Sequence, residues 1–132
     1  MHGQTSLRTP PKPTDAELAI LRVLWRRGPA TVRAIHDELG ALQDTGYTTA
    51  LKLLQIMTEK GLVRRDESAR SHIYEAQVGE AEVQRQLVGH LLDRAFGGSA
   101  SQLVLQALSS RRATPDELAE IRHLIEEMEA RA

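Results

Sequence analysis

Five residues between positions 48 and 55 carry the most distinctive side-chain chemistry in this sequence: Thr48, Thr49, Leu51, Lys52 and Gln55. Two short hydroxyls, an aliphatic group, an amine and a carboxamide can donate and accept hydrogen bonds at base edges. They can also cover a thymine methyl and meet a phosphate or a guanine. The set lies opposite Ala50, Leu53, Leu54 and Met57, whose spacing of three and four marks the buried face of a helix. That helix is expected to be capped by Asp44 or Thr45 and closed by Gly61. Taken alone, the outer face is equally compatible with an ordinary amphipathic helix, so its neighbours decide.

Downstream, Leu62–Arg65 and Ser71–Glu75 are short strand-like runs around a polar tip, Asp66–Arg70, which reads as a β-hairpin. A plain surface turn explains the tip but not the cations Lys60, Arg64, Arg65 and Arg70 around it. Arg65 and Arg70 are expected to neutralise phosphates, with His72 beside them. Arg64 points to the other strand face and is the weaker candidate. Upstream, Thr14-x-x-Glu17 has the form of a capping box. It opens a helix with Leu18, Leu21, Val23, Leu24 and Trp25 on its apolar side, and Gly28-Pro29 stops it. Trp25 reads as a core anchor. Ala30–Val32 suits a very short strand, with Thr31 able to cap the next helix, and Val32, Ile35 and Leu39 mark that short helix up to Gly40. Two helices joined by a short connection, then a hairpin, make residues 14–78 a winged helix-turn-helix DNA-binding domain.

The chain has 132 residues, enough for one compact domain or a small domain with an appendage. With 41% apolar but 3% aromatic residues, its core must be aliphatic. The absence of cysteine excludes disulfides, thiolate metal sites and a cysteine nucleophile, and fits a reducing cytoplasm. Residues 1–13 hold three prolines and no apolar leader segment, and are expected to be a disordered arm. No stretch approaches the roughly 20 apolar residues of a membrane span. Net charge is −1, but residues 1–78 hold 11 Lys and Arg against 9 acids, and residues 79–132 hold 6 against 9. The small positive excess falls on the half that would meet DNA. No nucleophile–base arrangement, paired catalytic carboxylates or glycine-rich phosphate loop is visible, so neither an enzyme nor a cofactor is expected. His36-Asp37-Glu38 point about 100° apart on a helix and do not converge on a metal. His90 and His123 could meet across a dimer and sense metal or pH.

Residues 79–132 read as helices. Val83, Leu87, Val88, Leu91, Leu92 and Phe96 form a wide stripe up to a Gly97-Gly98 break. Ser99-x-x-Gln102 can cap a short helix with Leu103, Val104, Leu105, Ala107 and Leu108. Thr114-Pro115-Asp116-Glu117 then starts a last helix with Leu118, Ile121, Leu124, Ile125 and Met128. These stripes are too apolar for a one-sided surface layer, and a second copy is the simplest cover. The fold class expected is mainly α: the winged domain followed by an all-helical dimerisation region. Its contact residues would be Leu87, Leu91, Leu92, Leu105, Leu118, Ile121, Ile125 and Met128.

Five segments, in order and spacing, resemble the BlaI/MecI/CopY penicillinase-repressor family. They are Thr14–Glu17 with Val23-Leu24-Trp25; Gly28–Arg33 with Ile35-His36; Tyr47–Leu51 with Leu53-Leu54-Gln55; Glu59–Arg65; and Arg70-Ser71-His72-x-Tyr74. The resemblance implies a dimeric repressor on a dyad-symmetric operator. It also implies release by a membrane-bound sensor metalloprotease that cuts the dimerisation region, here by position near Gln106-Ala107, where several members carry Asn-Phe. The copper-responsive branch has cysteine pairs near its C-terminus, and this chain has none.

Two other function classes fit a winged helix. A ligand-sensing regulator would need a polar group inside an apolar pocket, and none stands out in the sequence. A protein-interaction module would need an exposed apolar groove and would show no salt-sensitive DNA binding.

Overall fold

The computed structural model describes residues 11–40 and 45–132. The first ten positions of the expected arm, and Ala41–Asp44 of the loop before the central helix, lie outside the described residues. Pro13, assigned to the arm from sequence, is buried at the entrance to the first helix.

Helix α1 (Asp15–Arg27) begins with the expected capping box: the Glu17 amide donates to Thr14 Oγ1 at 3.2 Å, and the Thr14 amide donates to Glu17 Oε1 at 2.9 Å. Strand β1 (Ala30–Thr31) leads directly into α2 (Val32–Gly40), and Thr31 Oγ1 accepts the Ala34 amide at 3.2 Å. Helix α3 (Tyr47–Lys60) has Gly46 as its N-cap, with no side-chain capping bond. The expected cap at Thr45 is therefore corrected, and Asp44 lies outside the described residues. The chain enters α3 through a residue without a side chain, and among the described residues no side chain caps its first-turn amides.

The other end of α3 is tightly closed. Gly61 takes the left-handed conformation (φ +83°), and its amide reaches Thr58 O at 3.2 Å while the Leu62 amide reaches Met57 O at 2.9 Å. This pair of bonds is a Schellman motif. Leu62 is fully buried just past the cap, and strand β2 (Val63–Asp66) follows at once. Strand β3 (Ile73–Ala76) pairs antiparallel with β2 on one side and β1 on the other, giving the order β1-β3-β2. Thus β1 closes the hairpin into a three-stranded sheet, a pairing that local sequence does not reveal.

The core is aliphatic apart from Tyr74: Ile20, Leu21, Ile35, Ala50, Leu54, Met57, Leu62 and Val83 are wholly buried. Leu53 lies at its edge. Trp25 is half-buried against this core, and its indole N–H donates to the Val78 carbonyl at 3.0 Å. Helices α4 (Glu80–Ala95), α5 (Ala100–Ser110) and α6 (Pro115–Arg131) complete the chain. The chain divides into two compact units after Leu87. Val83 and Leu87, on the first turns of α4, pack into the winged-helix core. In the second unit Gly97 and Gly98 both have positive φ, and Ser99 and Thr114 cap α5 and α6 as their sequences indicate. Neither α5 nor α6 contains a buried residue. Among the described residues, no helix is long and apolar enough to cross a membrane.

Candidate nucleic-acid interface

Helix α3 turns Ala50, Leu54 and Met57 into the core, so Thr48, Thr49, Lys52 and Gln55 project into solvent from its opposite side. Leu51 is half-buried at the border between the two faces. The two threonines stand on the first turn, where a helix entering a major groove brings side chains to base edges.

Strand β2 of the wing carries two arginines on opposite faces, as strand alternation requires. Arg64 sits directly across from Glu75 and forms an ion pair with it. Arg65 sits across from Tyr74, on the core side, and pairs with Glu67 at 2.5 Å. Tyr74 first, and Glu67 second, hold the Arg65 guanidinium above its ordinary pKa. Both β2 arginines thus carry partners that are invisible in the sequence. At the tip the Ser68 amide donates to Asp66 Oδ1 at 2.9 Å, and that bond keeps the Asp66 carboxyl below its usual range. Arg70 and His72 are exposed on the far side of the tip.

Lys60, counted from sequence among the cations of this region, is committed elsewhere. Its ammonium donates to both oxygens of Glu17, at 2.8 and 3.0 Å. Burial raises the Glu17 pKa, but the bonds from Lys60 and the Thr14 amide outweigh it and hold the carboxyl below its ordinary value.

Between α2, α3 and the wing lies an open cleft of about 260 Å³. Its walls include Thr31, Arg33, Tyr47, Leu51, Arg70 and His72. The Arg33 guanidinium carbon lies 5.1 Å from the centre of the Tyr47 ring, which His36 meets edge-on at 6.0 Å. Arg33 and Tyr47 are not among the site residues expected from sequence. The available signal is modest: a cation on the first turn of α2 and an aromatic residue on the first turn of α3.

Of the cluster His36-Asp37-Glu38, His36 Nδ1 lies 3.5 Å from Asp37 Oδ1, and Glu38 turns away from both. Glu38 accepts from Arg26 at 2.7 Å and Arg27 at 3.3 Å, and Arg26, then Arg27, keep its carboxyl below the usual range, whereas His36 faces Tyr47. Among the described residues no group of three potential ligands could hold a metal ion.

In the second unit Leu91, Leu105, Leu118, Ile125 and Met128 are exposed, Leu105 by 56% and Met128 by 57%. Leu92 and Ile121 are half-buried. Leu87, expected with them, is half-buried at the edge of the winged-helix core. Gln106 and Ala107 are exposed within α5. His90 is exposed, and His123 lies 3.2 Å from Glu127, one turn along the same helix.

Comparison with known proteins locates this geometry. The family profile of the penicillinase repressors matches residues 13–127. The transcriptional regulator BlaI of Mycobacterium tuberculosis is 33% identical over 117 residues, covering 88% of this chain and 84% of the relative. The penicillinase repressor of Bacillus licheniformis is 22% identical, covering 89% and 91%. The solution structure of the DNA-binding domain of the repressor BlaI superposes with a TM-score of 0.50 at 21% identity, over 57% of this chain and 90% of that one. A B. licheniformis BlaI monomer in complex with the blaP half-operator gives 0.50 at 22%, over 55% and 89%.

Proposed function

The chain belongs to the penicillinase repressor family, and from that membership we propose that it represses transcription in the cytoplasm by occupying a dyad-symmetric DNA operator as a homodimer. The observation that carries the DNA-binding part is the outer face of α3, where Thr48, Thr49, Lys52 and Gln55 are exposed directly opposite a wholly buried face. The exposed wing residues Arg70 and His72 beside that face favour DNA over an ordinary solvent-facing helix. Thr48, Thr49 and Lys52 read bases, with Leu51 and Gln55 at the margin, while Arg70, Arg65 and His72 position the wing on the backbone.

Support for the dimer comes from the second unit. Helices of 11 and 17 residues with no buried side chain are marginal in water, and their apolar stripes need a cover. A second copy supplies it and sets two α3 helices about 34 Å apart, one turn of duplex. A half-operator bound by one relative's monomer is the arithmetic of such a site.

Release by a membrane-bound sensor protease is the last part of the reading. Gln106 and Ala107 lie in α5, so a protease must first unwind that helix. Because α5 holds no fully buried residue within one protomer, its contacts with the second copy are what chiefly resist local opening there.

The test is a pull-down of genomic fragments with the full chain, followed by titration of a recovered fragment and a shuffled duplex at one salt concentration. A preference of about 10³-fold or more is expected. Equal affinity for the two would overturn the reading.

A further inference from the structure

The cations of the winged unit divide into two groups. Arg26, Arg27, Lys60, Arg64 and Arg65 each lie against a carboxylate. Lys12, Arg22, Arg33, Lys52, Arg70 and Arg85 have no such partner among the described residues. Two of these unpaired cations, Arg33 and Arg70, line the cleft between α2, α3 and the wing, and among the described residues no Asp or Glu does. Two of the uncancelled charges beside α3 thus face one open cavity, while Lys52 stands on the outer face of the helix. At about 30 Å³ per water, its volume of about 260 Å³ accommodates an anion with several waters.

We propose that this cleft is a site for one phosphate of the DNA backbone, gripped between Arg33 and Arg70, with Tyr47 as the positioning residue for Arg33. The proposal rests on the DNA-binding reading above and adds a site to it. The Tyr47 ring lies under the Arg33 guanidinium at 5.1 Å, within the range of a cation–π contact. That contact limits the arginine's wandering without neutralising its charge, whereas a carboxylate partner would cancel it. Tyr47 immediately precedes Thr48 and Thr49. A phosphate fixed beside Tyr47 therefore sets how deeply the first turn of α3 enters the groove. The wing supplies Arg70 from the opposite wall, so the backbone is held by two separate elements of the unit.

The test uses the full-length chain and a random-sequence duplex, with affinity measured across a salt series. Each phosphate contact contributes about 0.9 to the slope of log affinity against log salt. A fourfold rise in salt should therefore weaken Arg33→Ala about 3.5-fold less than it weakens the wild type. Arg33→Lys keeps the charge and should restore the slope. Tyr47→Phe should bind like wild type, while Tyr47→Ala should weaken binding only when Arg33 is present. Circular dichroism confirms that each variant is folded. If wild type shows no salt-dependent DNA binding, the DNA-binding reading itself fails. If wild type binds and Arg33→Ala keeps the full slope, or Tyr47→Ala costs as much without Arg33 as with it, the phosphate site fails alone. Inorganic phosphate, titrated against chloride at constant ionic strength, separates backbone from free anion: displacement of DNA from wild type but not from Arg33→Ala would make the cleft a free-anion site and overturn the assignment.

Discussion

Glu17 and Lys60, 43 residues apart, join the first turn of α1 to the last turn of α3 through a carboxylate only 2% exposed. The same Glu17 completes the α1 capping box, so one side chain both starts a helix and anchors the C-terminal end of the proposed recognition helix. Removing one partner of a buried pair typically costs about 3–5 kcal/mol, because the other charge is left uncompensated. Here Lys60 keeps 33% of its side chain in water, which lowers the expectation. Lys60→Met should cost about 2–3 kcal/mol in urea unfolding, and the added change Glu17→Gln should recover part of it.

The same pair predicts a pH dependence. The Glu17 carboxyl is held below its ordinary value of 4.5 in the folded chain. Its contribution is therefore complete above the unfolded pKa and is lost as pH falls through the folded one. The stability gap between wild type and Glu17→Gln should be constant above about pH 5.5 and shrink below about pH 4.5. A gap that widened on acidification would assign the stability to another group.

At the α3 face, Thr49→Ala should lose about 1–3 kcal/mol at the selected operator and much less on shuffled duplex. Equal losses on both would mean that Thr49 does not read bases.

The wing arginines should not be equivalent. Arg70→Ala should flatten the salt slope by about one unit, whereas Arg64→Ala and Arg65→Ala should change it less, because Glu75 and Glu67 already offset those charges. Salt titrations of the three variants on one duplex decide this.

In the second unit, Ile125→Glu should separate the protomers in sedimentation without shifting the melting of the winged helix, since α6 buries no residue of a single chain. Residues 1–106 should behave likewise. Either change should lower operator affinity by about 10²–10⁴, the contribution of linking two weak half-site contacts. A truncated form that remained dimeric would remove the proposed route from cleavage to release.

Much of the fold is legible in the sequence because its signals are local. Thr14 and Thr114 cap within three residues of themselves, Gly61 ends α3 by its own backbone, and the wing is announced by a change from helical to strand periodicity. What escapes depends on residues distant in sequence. Nothing near Lys60 indicates Glu17, and nothing near Ala30 indicates Tyr74, its partner across β1 and β3. The Arg33–Tyr47 contact spans a loop whose course the sequence leaves open. Leu87 shares the apolar stripe of its helix with Leu91, yet the first turns of α4 cover the winged-helix core. Periodicity identifies a face that needs covering but not what covers it.

Only Gly61 and Leu62 separate α3 from β2, and both are held, Gly61 by the helix cap and Leu62 by complete burial and two backbone bonds. The six residues from Glu67 to His72 at the wing tip are all exposed, held by the Ser68–Asp66 bond and the Glu67–Arg65 pair rather than by burial. Insertions and deletions should therefore be tolerated very unequally at the two ends of β2. Lengthening the tip leaves the register of the sheet intact. Adding one residue at the corner would shift β2 by one position and turn every side chain to the other face, sending Arg64 toward Tyr74 and Arg65 into solvent. Chain length at this corner, more than the identity of any residue in it, couples the reading helix to its wing.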